Sequence, residues 1–268
     1  MKKESCPMTK SLMKVVQEYE ARHEDRKVYF GAVVGSSVSG LSHPENSDLD
    51  CVLYVLPLPD EVLLGKLVSN QQTVVADCDV HVYDLRNLEK MFEKPNFALL
   101  QALWSHEQYF YMNNSLDTFF YYYGLNFLKE NLNRLRLSTR GQVRSKVRTD
   151  SPVSAKVAAN LLHQTALYNS LSEALEKDKL TLKQVRQMSH RLALSQHSTR
   201  HGRLLDLKYT DDDNKVFEAV KDLQLVLDED NLYEAQEGNT EVFEAHRAQL
   251  HKTLSALLLV HVNQKQDK

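Results

Sequence analysis

Asp48 and Asp50 stand one residue apart just ahead of an apolar run, and Asp79 stands alone among apolar residues further along. Carboxylates at i and i+2 of a strand point to the same side. Crowded together they repel, and one is driven to hold its proton unless a cation lies between them. Hard divalent cations take oxygen ligands of this kind. A third carboxylate from a neighbouring strand completes a site for two such ions, magnesium or manganese. Two ions suit in-line displacement at phosphorus: one helps activate an attacking hydroxyl, and both neutralise phosphate charge. Asp79 is the candidate for the third role, and Asp77 competes with it because an unbroken strand puts both on one face. Gly35-Ser36 adds a second element of the same chemistry. A backbone that closely approaches phosphate favours a residue without Cβ. Ser36 offers a hydroxyl donor, and a helical turn starting there aims N–H groups at an anion. Gly40 lets the following loop fold over a triphosphate.

These residues need strands to hold them. Residues 28–34 are an apolar, β-branched and aromatic run, which reads as a buried strand ended by Gly35. The Ser-, Gly-, Pro- and Asn-rich stretch 36–47 reads as a loop with room for one helical turn. A second strand spans 49–56 and is stopped by Pro57 and Pro59. Asp60 is placed to cap a helix over 61–69. A third strand covers 73–83, with Asp77, Asp79, His81 and Tyr83 on one face and Ala76, Cys78, Val80 and Val82 on the other. Asp84 is placed to cap a helix that begins at Leu85. Helical spacing precedes the strands over 8–25 and dominates beyond residue 96, in segments 115–136, 153–177, 181–196, 213–227 and 240–263. The expected fold is α+β: a small mixed β-sheet with helices in a domain over 1–112, then a mostly α-helical domain over 113–268.

The order of an apolar strand, Gly35-Ser36, a polar loop, Asp48-Leu49-Asp50 and a later Asp79 on an apolar strand resembles the DNA polymerase β nucleotidyltransferase superfamily. The closer likeness is to the YcgL-type bacterial and phage nucleotidyltransferases. It is carried by the loop from Gly35 to Asp50, by Asp79-Val80-His81-Val82-Tyr83-Asp84-Leu85-Arg86, and by Pro95-Asn96-Phe97-Ala98-Leu99-Leu100-Gln101-Ala102-Leu103-Trp104. The likeness covers 28–112 and is fainter over 153–177. It implies a nucleotidyltransferase that moves a nucleoside monophosphate from an NTP to a hydroxyl acceptor (RNA or tRNA, a protein or a small molecule) and releases pyrophosphate. It further implies that Asp48 and Asp50 hold two Mg2+ ions and that Asp79 holds the catalytic one. Gly35, Ser36 and Ser37 would then meet the phosphates, and Lys156 and His163 would face the cleft. The chain departs from the likeness at Ser37, where the family usually carries Arg or Lys. It also lacks an Arg soon after Asp-x-Asp, having Cys51-Val52-Leu53 there. Both departures bear on phosphate affinity, and they keep a rival in view: a non-catalytic nucleotide-binding or antitoxin-like module on the same fold.

Other residues carry less specific signals. His81 shares the face of Asp79 and reads either as a substrate contact or as a half-exposed strand residue. His163 reads equally as a structural histidine within its helix. Tyr121, Tyr122 and Tyr123 include rings that could stack a base, but three consecutive helical residues cannot share a face, so at least one must pack inward. The stretch 129–148 carries Lys129, Arg134, Arg136, Arg140, Arg144, Lys146 and Arg148 against Glu130 alone. It reads as a guide for a triphosphate or an RNA or protein acceptor, or as a solvated basic face. A nucleic-acid-binding protein with no catalysis is a third possibility on this feature. Arg200, His201 and Arg203 precede Asp211-Asp212-Asp213, which suit a helix start better than a metal.

Composition sets the outer limits. The 268 residues are 42% hydrophobic and 26% charged, as expected of a globular chain. A net charge of -3 gives no general attraction to nucleic acid, so any such attraction must be local. Three cysteines make no disulfide framework or zinc spacing, and Cys51 and Cys78 read as buried reduced thiols. With no apolar leader and no apolar run long enough for a bilayer, the expected location is the cytoplasm and no membrane partner is expected.

Overall fold

The computed structural model describes residues 7–39, 49–68, 70–93, 110–148, 153–176, 184, 206–229 and 240–266. Within them, helices and strands follow in the order α1 (Pro7–Arg22), β1 (Val28–Val34), α2 (Ser36–Ser39), β2 (Asp50–Val55), α3 (Pro59–Leu63), β3 (Gln71–Val75) and β4 (Cys78–Asp84). Then come α4 (Asn87–Glu93), β5 (Phe110–Met112), α5 (Asn114–Arg148), α6 (Ala155–Glu176), α7 (Asp213–Glu229) and α8 (Thr240–Gln266). The fold class is mixed α+β.

The described strands form one five-stranded sheet in the order β3-β4-β2-β1-β5. β2 runs parallel to β4, and every other neighbouring pair is antiparallel. α1 covers one face. Its Leu12, Val15, Val16 and Tyr19 recur at helical spacing and pack on Val33, Cys51, Leu53, Val55, Val80 and Val82. Cys51 and Cys78 are free buried thiols of this layer, as their apolar surroundings predict. On the opposite face Phe30, Tyr54 and Tyr83 stack in a row across β1, β2 and β4, with ring centroids 5.4 Å apart at each step.

Three local expectations are corrected. The run 73–83 is two strands joined by a hairpin. Ala76 and Asp77 form its turn at φ 51° and 61°, the paired positive angles that a tight hairpin matching strand twist requires. Asp84 caps no helix: it ends β4 fully buried, and α4 begins at Asn87. Its carboxylate accepts from the Arg86 Nε and Nη2 groups, the nearest approach being 2.6 Å. It also accepts the backbone N–H groups of Val68 (2.9 Å) and Arg86 (2.8 Å). A buried carboxylate is tolerable there because its oxygens are satisfied. Finally, α3 starts at Pro59, a favoured first helical position, and ends early. Gly65, at φ 62°, lets Lys66 N–H reach Glu61 O (2.8 Å) and Gly65 N–H reach Val62 O (3.1 Å), which is a Schellman stop.

Beyond the sheet the structure is helical. Asn113 alone separates β5 from α5. Its side chain accepts the N–H of Ser115 at 3.0 Å and so caps the helix. α5 runs past the expected residue 136 to Arg148, 35 residues in all. α6 and α7 pack on α5 and on each other around Val143, Ala158, Leu161, Val216, Val220 and Leu223. Asp212 accepts the N–H groups of Asn214 and Lys215, so this acidic run does open a helix. α8 packs on α5 and touches α4, where Arg247 Nε and His251 Nδ1 lie 3.2 and 3.0 Å from the carboxylate of Glu89. The helix expected over 181–196 lies outside the described residues apart from helical Gln184.

Candidate active site at the Gly35 end of the sheet

β1 delivers the chain to Gly35, whose φ of 75° suits a residue without Cβ. The reason is visible on the neighbouring strand. A Cβ at Gly35 would lie 2.6 Å from Oδ2 of Asp50, so the carboxylate is seated against the turn. The chain then makes the single turn of α2. Val38 is buried in the sheet core and fixes this turn from below. Ser36 is half-buried and Ser37 buried.

Asp50 is the first residue of β2 and the register partner of Val34 on one side and of Asp79 on the other. Register partners on adjacent strands project to the same face, their backbones about 4.8 Å apart. The N–H of Asp79 donates to the carbonyl of Leu49 at 3.1 Å, which locks this register at the site itself. Asp50 is half-buried and Asp79 exposed, so the pair opens to solvent at the sheet end. Asp77 is excluded from the face by the hairpin turn. The antiparallel β3–β4 register puts exposed Val74 beside Asp79, and Gln72 beside His81.

His81 stands two residues beyond Asp79 on the same face. It is half-buried, with its ring 6.4 Å from that of Tyr83. The aromatic row leading to it escaped sequence reasoning, although a signal existed. Tyr54 follows Asp50, and Tyr83 follows Asp79, by the same four positions. Burial pushes the Tyr54 phenol well above its ordinary value, with the neighbouring Tyr83 adding to the effect. Behind the site, burial raises the Cys51 thiol to about 12, helped by the nearby Cys78 and Asp50. Cys51 is therefore a neutral packing group at physiological pH and no nucleophile.

The remaining expected site residues are placed as follows. Asp48 lies outside the described residues. Lys156 and His163 are on α6, the first exposed and the second only 4% exposed. α6 takes its packing from α5 and α7. The structure thus gathers Gly35, Ser36, Ser37, Asp50 and Asp79, and sets Lys156 and His163 within the helical bundle. Among the described residues no group of three or more His, Cys, Asp or Glu is arranged for a metal ion; the described part of the expected trio is the Asp50–Asp79 pair.

Compared with protein-family models, curated proteins and solved structures, the chain finds no match.

Proposed function

We propose that the Gly35 end of the sheet is the active site of a metal-dependent nucleotidyltransferase. One observation carries the reading: Asp50 and Asp79 are side-by-side partners on parallel strands, and Asp50 is seated on a glycine turn. The donors are hard oxygens of like charge, the set that a divalent cation offsets and that costs repulsion without one. The sequence adds Asp48 two positions before Asp50. The residues fit Mg2+ or Mn2+, held by Asp50 and Asp79 with Asp48 as the further ligand. Such ions, when bound, neutralise phosphate charge and lower the pKa of a coordinated hydroxyl.

The protein's own residues then have distinct tasks. The Gly35 turn and Ser36 receive the β and γ phosphates of the NTP. Asp50, fixed against Gly35, sets where the α-phosphate lies. Asp79, more exposed and on β4 beside the edge strand β3, accepts the proton of the acceptor hydroxyl. The hydroxyl oxygen forms a bond to the α-phosphorus, the bond from that phosphorus to the bridging oxygen breaks, and pyrophosphate leaves with the electron pair. Ser37 is buried and uncharged where the resembled family usually has a cation. This favours weak phosphate binding and leaves a non-catalytic nucleotide-binding role as the second reading.

The test incubates α-labelled NTPs with Mg2+ and mixed RNA, protein and small-molecule acceptors. Labelled product with pyrophosphate release, abolished in Asp50→Ala and Asp79→Ala, is the expected result. Product that persists in both variants rejects the site. Binding of NTP without pyrophosphate release transfers the case to the second reading.

A further inference from the structure

We infer that the open side of β3 and β4, at Gln72 and His81, is a subsite for the nucleobase of the acceptor, adenine above all, and that it presents a hydroxyl of that nucleoside to Asp79. This rests on the reading of Asp79 as the group that meets the acceptor hydroxyl.

The sheet face that carries Asp50 and Asp79 is unevenly covered. On β2 it is closed: Val52 is 5% and Tyr54 1% exposed. On β4 and β3 it opens: Asp79, Gln72 and Val74 are exposed, and His81 is half-buried. The registers fix how these four lie. Val74 is the partner of Asp79 and Gln72 the partner of His81, so all four project to one side. Val52 is the partner of His81 on β2. The result is a shelf two strands wide. The covered strand β2 runs along one side, and the Asp79 carboxylate stands at the end nearest Gly35.

The side chains of the shelf suit a flat ring with a polar edge. The His81 ring lies 14° from parallel with that of Tyr83 and ends the row that begins at Phe30. Among the described residues neither the Gln72 nor the His81 side chain has a hydrogen-bond partner. A glutamine amide holds a donor and an acceptor in one plane, the pattern that reads N6 and N7 of adenine. A histidine ring is one of the surfaces on which an unpaired base stacks. Opposed residues of an antiparallel pair have Cβ atoms about 5 Å apart, close enough for one base to meet both. Asp79 is two residues from His81 along β4, a step of about 7 Å. A nucleoside spans that step, with its base at His81 and Gln72 and a sugar hydroxyl at Asp79. Positive charge plays no part: of the four side chains only Asp79 is charged, and Arg22 at the rim of β3 is engaged by Glu18 and by the carbonyl of Val74. A hydroxyl on a peptide side chain would leave the amide and the ring unused.

The test is a nuclear magnetic resonance titration of the full chain with adenosine, uridine and ribose, each without metal or NTP, following the His81 ring and the Gln72 side-chain amide. Adenosine is expected to shift both signals, uridine to bind about tenfold more weakly, and ribose to have no effect. Gln72→Glu keeps the size of the side chain but removes its N–H donors, and is expected to abolish the preference for adenosine. Gln72→Ala and His81→Ala, checked for fold by circular dichroism, are expected to raise the KM for an RNA acceptor ending in adenosine about tenfold. The KM for NTP and the affinity for Mn2+ are expected to stay as in wild type. A wild type that binds adenosine at these two signals yet transfers nothing keeps the nucleoside subsite and rejects the transferase reading alone. Adenosine that leaves both signals in place overturns the subsite. So does a hydroxyl-bearing peptide that moves them when adenosine does not, which makes the acceptor a protein.

Discussion

At the scale of single residues, Gly35 does two things that no other side chain can. Its positive φ turns the chain out of β1, and its missing Cβ leaves the space that Asp50 occupies. Gly35→Ala therefore carries two penalties. The backbone strain alone is about 1–3 kcal/mol. The added methyl also pushes the Asp50 carboxylate away from its seat. The expected outcome is a lowered melting temperature together with loss of nucleotidyl transfer. An alanine variant that melts as wild type does would show that the close contact has no energetic meaning. Asp79 has a different character: it is exposed, so substituting it is expected to remove function with little effect on the fold.

At the scale of elements, the β3–β4 hairpin shows what controls the geometry of the site. The turn places Ala76 and Asp77 at positive φ, which costs an L-residue about 1 kcal/mol each. Replacing the pair by Asn-Gly, the residues such a turn favours, is expected to raise stability by about 1 kcal/mol without changing metal binding. Thermal denaturation measures this, and a destabilised Asn-Gly variant would contradict the described turn. The same turn explains why the sequence misleads here. Ala-Asp carries no Gly or Asn to announce a hairpin, and apolar residues continue on both sides, so 73–83 reads as one strand. The reversal changes which β3 residue shares the face of Asp79, from Val75 to Val74. The alternation from Cys78 to Tyr83 is unaffected and was legible. β1, β2 and the starts of α6, α7 and α8 were legible for similar reasons: each has a clear period and a stop or cap. Two boundaries depended on tertiary partners instead. Asp84 looks like a cap but is recruited by Arg86 and Val68. α5 continues through Gly141 because its C-terminal half packs on α6 and α7 through Val143. The sequence reads Asp50 and Asp79 as lying on two strands, but their pairing in register is a property of the assembled sheet.

At the scale of the whole molecule, two of the buried clusters among the described residues have distinct tasks. The sheet cluster under α1 holds the strand ends that carry Gly35, Asp50 and Asp79. The helical cluster of α5, α6 and α7 holds the C-terminal half of α5 through Val143. Asn113 joins them through the chain, and Glu89 joins them through space by meeting Arg247 and His251 of α8. Among the described residues no helix is long and apolar enough to cross a membrane. The proposal for the sheet end stands on two carboxylates acting together, and metal binding reads that cooperation without requiring the acceptor to be known. Manganese titration of wild type, Asp50→Asn and Asp79→Asn, followed by the paramagnetic signal of free Mn2+, is the most direct measurement. Wild type is expected to bind, and each single variant to lose about tenfold or more in affinity. Equal manganese binding by all three folded proteins would contradict the account.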